Sequence, residues 1–137
     1  MLKPKPVGGM RHVALWVNNF EACENFYVNL IGMQIEWRPD EDNLYLCSGC
    51  DNVALHRSDR DMTGSQHLDH IGFILNEMDD VDQWYEYLVT NNVTIFKEPK
   101  THRDGARSFY CADPDGNAVQ MIYHPSISSK MFVDYIR

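Results

Sequence analysis

The chain has 137 residues, enough for one domain with a substantial core but few for two independent ones. Its formal net charge of -8 opposes binding to a phosphate backbone, so nucleic acid is not an expected partner. No apolar run approaches the roughly 20 residues of a membrane span, and residues 1–10 lack the apolar centre of a signal peptide. These features predict a soluble, globular, cytoplasmic protein.

Four cysteines, at 23, 47, 50 and 111, fit a reducing compartment, because a core of this size does not depend on disulfides. The segment 47–50, Cys-Ser-Gly-Cys, is formally a CxxC motif. A zinc ribbon would need a second such pair, and a thioredoxin-like site would open a helix. We therefore interpret Cys47 and Cys50 as two reduced thiols at a turn between strands.

The first half of the chain has one segment with helical spacing among several with strand alternation. Residues 10–17 are predicted as a strand that carries His12 on the face opposite its apolar residues. A helix follows, capped at residues 18–19 and ended by Gly32. Further strands are predicted at 33–38, 43–48 and 52–58. Together these elements form one βαβββ unit.

The second half repeats this order. Residues 68–75 are predicted as a strand that carries His70. A helix capped by Asp79 or Asp80 follows and ends near residues 91–92. The remaining predictions are strands at 93–96, 107–112 and 117–123, a loop at 99–105 and a turn at 113–116.

Polar side chains recur at matching places in the two units. When the first strands of the units are aligned, His12 matches His70, and when the last strands are aligned through their preceding turns, His56 matches Gln120. Each lies on the strand face opposite the residues predicted to contact the helices. A pseudo-twofold between the units would turn all four side chains toward one hollow, where they could hold a metal ion.

The repeat predicts an α+β fold in which two tandem βαβββ modules form a curved mixed sheet around a central cavity. The single domain covers residues 10–124, with modules at 10–58 and 68–124 and tails at 1–9 and 125–137. Apolar residues in the second tail have the spacing of a short amphipathic helix, which at this length needs a surface to pack on. That surface is either its own sheet or a second subunit. The apolar residues are Met131, Phe132, Tyr135 and Ile136.

Four segments carry a family resemblance. They read Arg-His-Val-Ala-Leu at 11–15, Phe-Tyr-Val-Asn-Leu-Ile-Gly-Met at 26–33, Leu-Asp-His-Ile-Gly-Phe at 68–73 and Ala-Asp-Pro-Asp-Gly-Asn-Ala-Val-Gln at 112–120. On these segments the chain resembles the vicinal oxygen chelate superfamily, which includes glyoxalase I, extradiol dioxygenases, and fosfomycin and bleomycin resistance proteins. In catalytic members the metal ligands lie on the first and last strands of each module, which match His12, His56, His70 and Gln120. The resemblance also implies a homodimer, with each cavity formed by modules of one chain or of both.

Metal-dependent members usually carry Glu where this chain has Gln120. An amide oxygen coordinates a cation but neither carries the negative charge nor accepts a proton as a carboxylate does. Three imidazoles and an amide suit a divalent Zn, Ni, Fe or Mn ion better than Mg²⁺. We expect such an ion to polarise vicinal oxygens of a small substrate in a lyase, isomerase or dioxygenase reaction. The alternative is a metal-free binding protein of the bleomycin-resistance kind, which sequesters an aromatic or cationic molecule.

Four further side chains are candidates for the site. Glu36 is a candidate for the catalytic base, since no ligand carboxylate is present to take that role. A hydroxide held by the cation is the alternative base. The simpler interpretation of Glu36 is a solvated charge on an edge strand. Trp16 lies on the predicted concave face and either lines the cavity or caps the core. Arg103 and Arg107, in the cationic loop 100–107, either bind a substrate carboxylate or are solvated.

Overall fold

The computed structural model describes residues 10–61, 68–125 and 128, so the amphipathic helix predicted around residues 131–136 lies outside the described residues. The first module contains β1 (His12–Val17), α1 (Phe20–Glu24) with a π-helical continuation (Asn25–Leu30), β2 (Gln34–Asp40), β3 (Asn43–Cys47) and β4 (Asn52–Arg57). The second contains β5 (Ile71–Ile74), α2 (Met78–Thr90), β6 (Ile95–Thr101), β7 (Arg107–Ala112) and β8 (Ala118–Tyr123). Within this part of the chain, no helix is long and apolar enough to cross a membrane.

Each module forms its own four-stranded mixed sheet, and the predicted two-module α+β architecture is confirmed. The strand orders are β1-β4-β3-β2 and β5-β8-β7-β6. The first strand of each module pairs in parallel with the last, and the other pairs are antiparallel. The helix after each first strand makes that crossover possible, because parallel neighbours need a long connection. β1 and β5 therefore each lie at an edge of their sheet.

Strand alternation sorts the side chains into a helix-covered face and an open face. On β1, Leu15 and Val17 are buried while His12 and Trp16 are exposed. The same alternation buries Leu44 and Leu46 on β3. These apolar faces and both helices share one core. Its largest fully buried side chains include Phe20, Phe26, Tyr27, Leu55, Leu88, Phe109 and Met121.

The turn between β7 and β8 joins the two modules. The buried Asp113 carboxylate accepts a 2.8 Å hydrogen bond from the Tyr27 hydroxyl of the first module. Burial, followed by the nearby Asp113 charge, raises the pKa of Tyr27 well above its ordinary value. Asp115 accepts hydrogen bonds at 2.9 and 2.8 Å from the backbone N–H groups of Asn18 and Asn19, which precede α1. A carboxylate from the second module therefore holds the two residues that lead into the first helix of the first module and lies near its N-terminal end.

Two predicted boundaries are wrong. Residues 99–101, predicted as part of a loop, belong to β6, where Pro99 is tolerated because β6 is an edge strand of its sheet. The N-cap of α2 is Glu77 rather than Asp79 or Asp80. Its carboxylate accepts from the backbone of Asp80, whose own side chain accepts from Glu77 N–H at 3.0 Å, a reciprocal capping box.

Strand pairing also corrects the repeat. Ala14 pairs with Ala54, whereas Gly72, the residue that matches Ala14 in the second module, pairs with Gln120. Ala54 is therefore the counterpart of Gln120, and the predicted match of Gln120 to His56 is wrong.

The neighbouring strands follow the same corrected alignment. His56 lies opposite Trp16, and Ile122 lies opposite Ile74, which matches Trp16 in the second module, so Ile122 is the counterpart of His56. On the third strands, Tyr45 pairs with Ala54 as Tyr110 pairs with Gln120. Tyr110 is therefore the counterpart of Tyr45.

Candidate functional site

A cavity of about 650 Å³ lies between the two modules, at the edges formed by β1 and β5. Both His12 and His70 line it. The lining also includes the polar residues Asn52, Ser48 and Asp51 and a larger apolar part. That part includes Val13, Ile31, Phe73, Leu75, Trp84 and Met121. The cavity lining therefore combines an imidazole from each module with a mostly apolar surface.

Each of the three candidate histidines is held through its Nδ1 atom by an oxygen. His12 Nδ1 lies 2.7 Å from Asn52 Oδ1, and His56 Nδ1 lies 2.6 Å from Asn43 Oδ1. His70 Nδ1 lies 2.5 Å from a carboxylate oxygen of Asp69, the preceding residue. Carbonyl and carboxylate oxygens only accept, so each Nδ1 carries the hydrogen. Each neutral ring therefore has its lone pair on Nε2.

A carboxylate fixes the orientation of each of the two asparagines. Asn52 donates through Nδ2 to Glu36 Oε2, and Asn43 donates through Nδ2 to Asp40 at 2.9 and 3.1 Å. Because a carboxylate accepts only, the NH₂ group of each amide must face it and the Oδ1 must face the imidazole. Backbone hydrogen bonding from Asp42 and the amide of Asn43 lower the pKa of Asp40. The first sheet thus carries two carboxylate–asparagine–histidine chains.

The open face of the second sheet brings His70, Tyr110 and Gln120 together. The rings of His70 and Tyr110 are perpendicular, with centroids 5.2 Å apart. Gln120 donates from Nε2 to the Tyr110 hydroxyl at 2.9 Å. Its Oε1 lies over Gly72, 3.5 Å from the point where a Cβ atom would be. Glycine at this position keeps the amide oxygen uncovered on the side of the strand that carries His70.

The first sheet does not place His56 beside His12. In register, His12 lies opposite Asn52, whereas His56 lies further along β4, opposite Trp16. Neither His56 nor Gln120 is among the residues that line the cavity. Within residues 10–61, 68–125 and 128, no three His, Cys, Asp or Glu side chains are close enough to hold a metal ion by themselves. The expected convergence of all four side chains on one hollow is not seen in a single chain.

The other candidates lie outside the cavity lining. Glu36 lies on the exposed strand β2 and reaches His12 only through Asn52. Arg103 is exposed in the turn that connects β6 to β7. Arg107 binds both oxygens of Asp82 on α2, at 2.9 and 2.6 Å. That contact holds Arg107 on the helix-covered face, away from the open face that carries Gln120.

The cysteines contribute no reactive thiol to the cavity. Cys47 and Cys50 are free on either side of the β3–β4 turn, as predicted. Cys23 and Cys111 are buried in the core. Burial first, and then the Asp113 charge, raise the pKa of both thiols, that of Cys111 to about 12.

Sequence reasoning missed four partners of the histidines. They are Asn43, Asn52, Asp69 and Tyr110. Asp69 was detectable as an acidic neighbour of His70. The other three depend on strand pairing and have no local sequence signal.

Two pseudo-equivalent βαβββ modules with a cavity between them define a glyoxalase-type fold. A family model for the Glyoxalase/Bleomycin resistance protein/Dioxygenase superfamily matches residues 9–121, and the chain belongs to this superfamily.

Similar proteins carry metal-related and glyoxalase names. The chain is 24% identical over 118 residues to metallothiol transferase FosB of Staphylococcus saprophyticus, covering 84% of this chain and 76% of that protein. FosB of Staphylococcus epidermidis is 26% identical over 120 residues, covering 84% of this chain and 81% of that protein. The crystal structure of lactoylglutathione lyase from Agrobacterium tumefaciens superposes with a TM-score of 0.73 at 19% identity, covering 87% of this chain and 96% of that one. The family model shows the superfamily, and the structural match supports the fold.

Proposed function

We propose that the protein is a metal-dependent enzyme in which His12 and His70, at the cavity between the modules, hold a divalent cation together with Gln120, whose amide oxygen lies over Gly72 on the side of the strand that carries His70. The observation that carries this proposal is the pair of imidazoles on one cavity, each held through Nδ1 so that Nε2 is free to coordinate. Metal-binding histidines are commonly oriented in this way by an oxygen on the other ring nitrogen.

The donor set fits a borderline cation. Two neutral imidazoles and an amide oxygen suit Zn²⁺, Ni²⁺, Fe²⁺ or Mn²⁺, and they leave the charge of the ion uncompensated. When bound, such an ion supplies Lewis acidity toward two neighbouring oxygens of a substrate. The first module supplies one ligand, His12, and the second supplies two, His70 and Gln120. The difference arises because Ala54 occupies the counterpart of Gln120 in the first module.

Other residues orient the metal ligands or contact the substrate. Asn52 and Asp69 orient the two imidazoles, and Glu36 orients Asn52 rather than acting as the base. The Tyr110 hydroxyl accepts from Gln120, so its own hydrogen is directed elsewhere and can be donated to a substrate oxygen. The apolar lining of the cavity holds the non-reacting part of a small molecule.

The reaction is of the lyase, isomerase or dioxygenase kind. The similarity to a metallothiol transferase and to a lactoylglutathione lyase also makes a thiol or a thiol adduct a candidate substrate. Because Gln120 does not line the cavity within one chain, we further propose a homodimer in which a second copy approaches the edge strands β1 and β5.

The proposal is tested by elemental analysis of untagged protein purified without chelator. We expect near-stoichiometric Zn, Ni, Fe or Mn in the parent protein. Gln120→Glu should bind the same ion about tenfold more tightly, because a carboxylate adds a negative charge to the donor set. The matched control is Gln83→Glu on α2. Absence of metal from both the parent and Gln120→Glu after incubation with excess cation would refute the proposal.

A second candidate is a metal-free binding protein of the bleomycin-resistance type. The observation in its favour is that Gln120, neutral and already bonded to Tyr110, stands where metal-dependent members usually have a carboxylate. The same elemental analysis separates the two candidates.

Removing the Asn52 amide should weaken metal binding. In Asn52→Ala the Nδ1 of His12 loses its acceptor, so the ring is free to rotate and to change tautomer. Loss of such an orienting contact typically costs about 10- to 100-fold in metal affinity. Asn43→Ala removes the same contact from His56 and is the matched control, with no change expected. Equal losses in the two variants, measured by competition with a chromophoric chelator, would contradict this role.

A further inference from the structure

Two of the four cysteines are accessible, and both lie where β3 connects to β4. Cys47 is the last residue of β3 and is half-buried, whereas Cys50 is exposed. Cys23 and Cys111 are buried in the core, out of reach of a solute. Residues 47–50, which we refer to as the thiol turn, therefore hold both thiols that a dissolved reagent can reach.

The backbone of the thiol turn bends back on itself. Gly49 has a φ of 119°, in the left-handed region that other residues rarely adopt. Asp51 holds the turn, since its carboxylate accepts from the backbone N–H of Ser48 at 2.5 Å and from the Ser48 hydroxyl. The first and fourth Cα atoms of a four-residue reversal lie within about 7 Å, and a disulfide joins Cα atoms about 4.4–6.8 Å apart. The two cysteines occupy the first and fourth positions, so the turn favours a bond between them.

The thiol turn adjoins the cavity between the modules. Ser48, inside the turn, and Asp51, which follows it, both line that cavity. The same two residues make the hydrogen bonds that hold the turn together. A bond between the two cysteines would tighten the backbone that carries Ser48. Oxidation of the thiols would therefore alter the cavity wall, although neither cysteine lines it.

Cys47 is also a neighbour of Asn52, the residue that orients His12. Extending the register of β3 and β4 by one step places Cys47 opposite Asn52, on the open face of the first sheet. Asn52 Oδ1 lies 2.7 Å from His12 Nδ1. Asp51, which binds Ser48, precedes Asn52 in the chain. A displacement of the turn therefore reaches Asn52 both across the strand pair and along the chain, and Asn52 passes it to the His12 ring.

We propose that Cys47 and Cys50 form a reversible disulfide on reaction with a low-molecular-weight disulfide, and that this bond changes the orientation of His12 through Asn52. The exposed Cys50 thiolate attacks one sulfur of the small disulfide, forms a mixed disulfide and releases one small thiol. The Cys47 thiolate then attacks the Cys50 sulfur, which forms the intramolecular bond and releases the second small thiol. Two electrons pass from the cysteines to the small disulfide, and the two cysteine protons go to the released thiols.

Such a bond would make the thiol turn a redox-sensitive site. Disulfides that form in reducing compartments are usually transient, catalytic or redox-sensing. The chemistry of the thiol turn needs no metal, whereas an effect of the disulfide on metal affinity rests on the proposed function, in which His12 is a ligand.

The bond is tested by incubating chelator-treated protein with bis(2-hydroxyethyl) disulfide and measuring intact mass and accessible thiols. We expect the parent to lose two hydrogen atoms and both accessible thiols, to retain no mercaptoethanol, and to recover both thiols in dithiothreitol. Cys47→Ser should instead retain one mercaptoethanol on Cys50, because no second thiol is present to displace it. Cys50→Ser is the matched variant and should be modified more slowly than Cys47→Ser, because Cys47 is half-buried.

The effect on His12 is measured in long-range ¹H–¹⁵N NMR spectra of the same chelator-treated protein. In the reduced protein, His12 should show the Nδ1–H tautomer that Asn52 imposes. Oxidation should replace that single tautomer by a mixture of both, and dithiothreitol should restore the first spectrum. His70, which Asp69 holds in the other module, is the internal control and should not change.

Two results would overturn the inference. A parent protein that retains mercaptoethanol, or that retains both accessible thiols, would show that the thiol turn does not form the bond. An intramolecular disulfide that leaves the His12 spectrum unchanged would show that the bond does not act on the site. Neither measurement involves metal, so each can succeed or fail whatever elemental analysis finds.

Discussion

Replacing His70 by alanine is expected to lower metal affinity by about 100- to 1000-fold, while His56→Ala leaves it unchanged. A bound structural Zn²⁺ contributes about 10–16 kcal/mol shared among its ligands, so one imidazole accounts for roughly 3–4 kcal/mol. His70 lines the cavity with its Nε2 free, and His56 lies at the far end of the first sheet. The measurement is competition with a chromophoric chelator, supported by elemental analysis of each variant.

The two variants separate three arrangements of the site. Loss in His70→Ala alone supports the His12, His70 and Gln120 set. Equal loss in both variants would restore His56 to the metal site, in contradiction to the strand pairing of one chain. No loss in His70→Ala would place any bound metal elsewhere. His102→Ala, an exposed imidazole in the turn after β6, controls for adventitious metal binding.

Asp113→Ala is expected to lower the free energy of unfolding by about 3–5 kcal/mol, because removal of one partner from a buried polar network has costs of this size. The buried carboxylate accepts from the Tyr27 hydroxyl at 2.8 Å. It also accepts from the backbone of Asp115 and from the backbone and side chain of Asn117, each at 2.9 Å. Deleting it leaves a buried hydroxyl without an acceptor and releases the turn that holds the residues leading into α1.

Urea unfolding measures this change in the free energy of unfolding. A second variant separates the contribution of the Tyr27 hydrogen bond from that of the turn. Tyr27→Phe removes only the cross-module hydrogen bond and should cost about 1–2 kcal/mol. Asp59→Ala, which removes an exposed carboxylate at the end of the first module, should change the free energy of unfolding by less than about 0.5 kcal/mol. If Asp113→Ala were as mild as Asp59→Ala, the turn would not be what holds the modules together.

The helix-covered and open faces of the strands could be predicted from the sequence, and so could the presence of two modules. Alternation with period two is a local property, and it correctly separated Leu15 and Val17 from His12 and Trp16. The sequence segments that contain His12 and His70 likewise resemble the superfamily, and the family model confirms that membership. These features depend on neighbours in the chain, which the sequence displays directly.

The pairing of strands was decided only by the tertiary structure. Two alignments of β4 with β8 that differ by one period of strand alternation both keep every apolar residue on the same face. Hydrophobicity therefore cannot distinguish His56 from Ala54 as the counterpart of Gln120. Hydrogen bonding between distant strands fixes that choice.

The same pairing brings Asn52 to His12 and Asn43 to His56, partners that lie far apart along the chain. No local sequence pattern predicts these contacts, because they depend on which strands are neighbours and on their register. Sequence therefore determined which faces carry chemistry, and the strand register determined which residues on those faces meet.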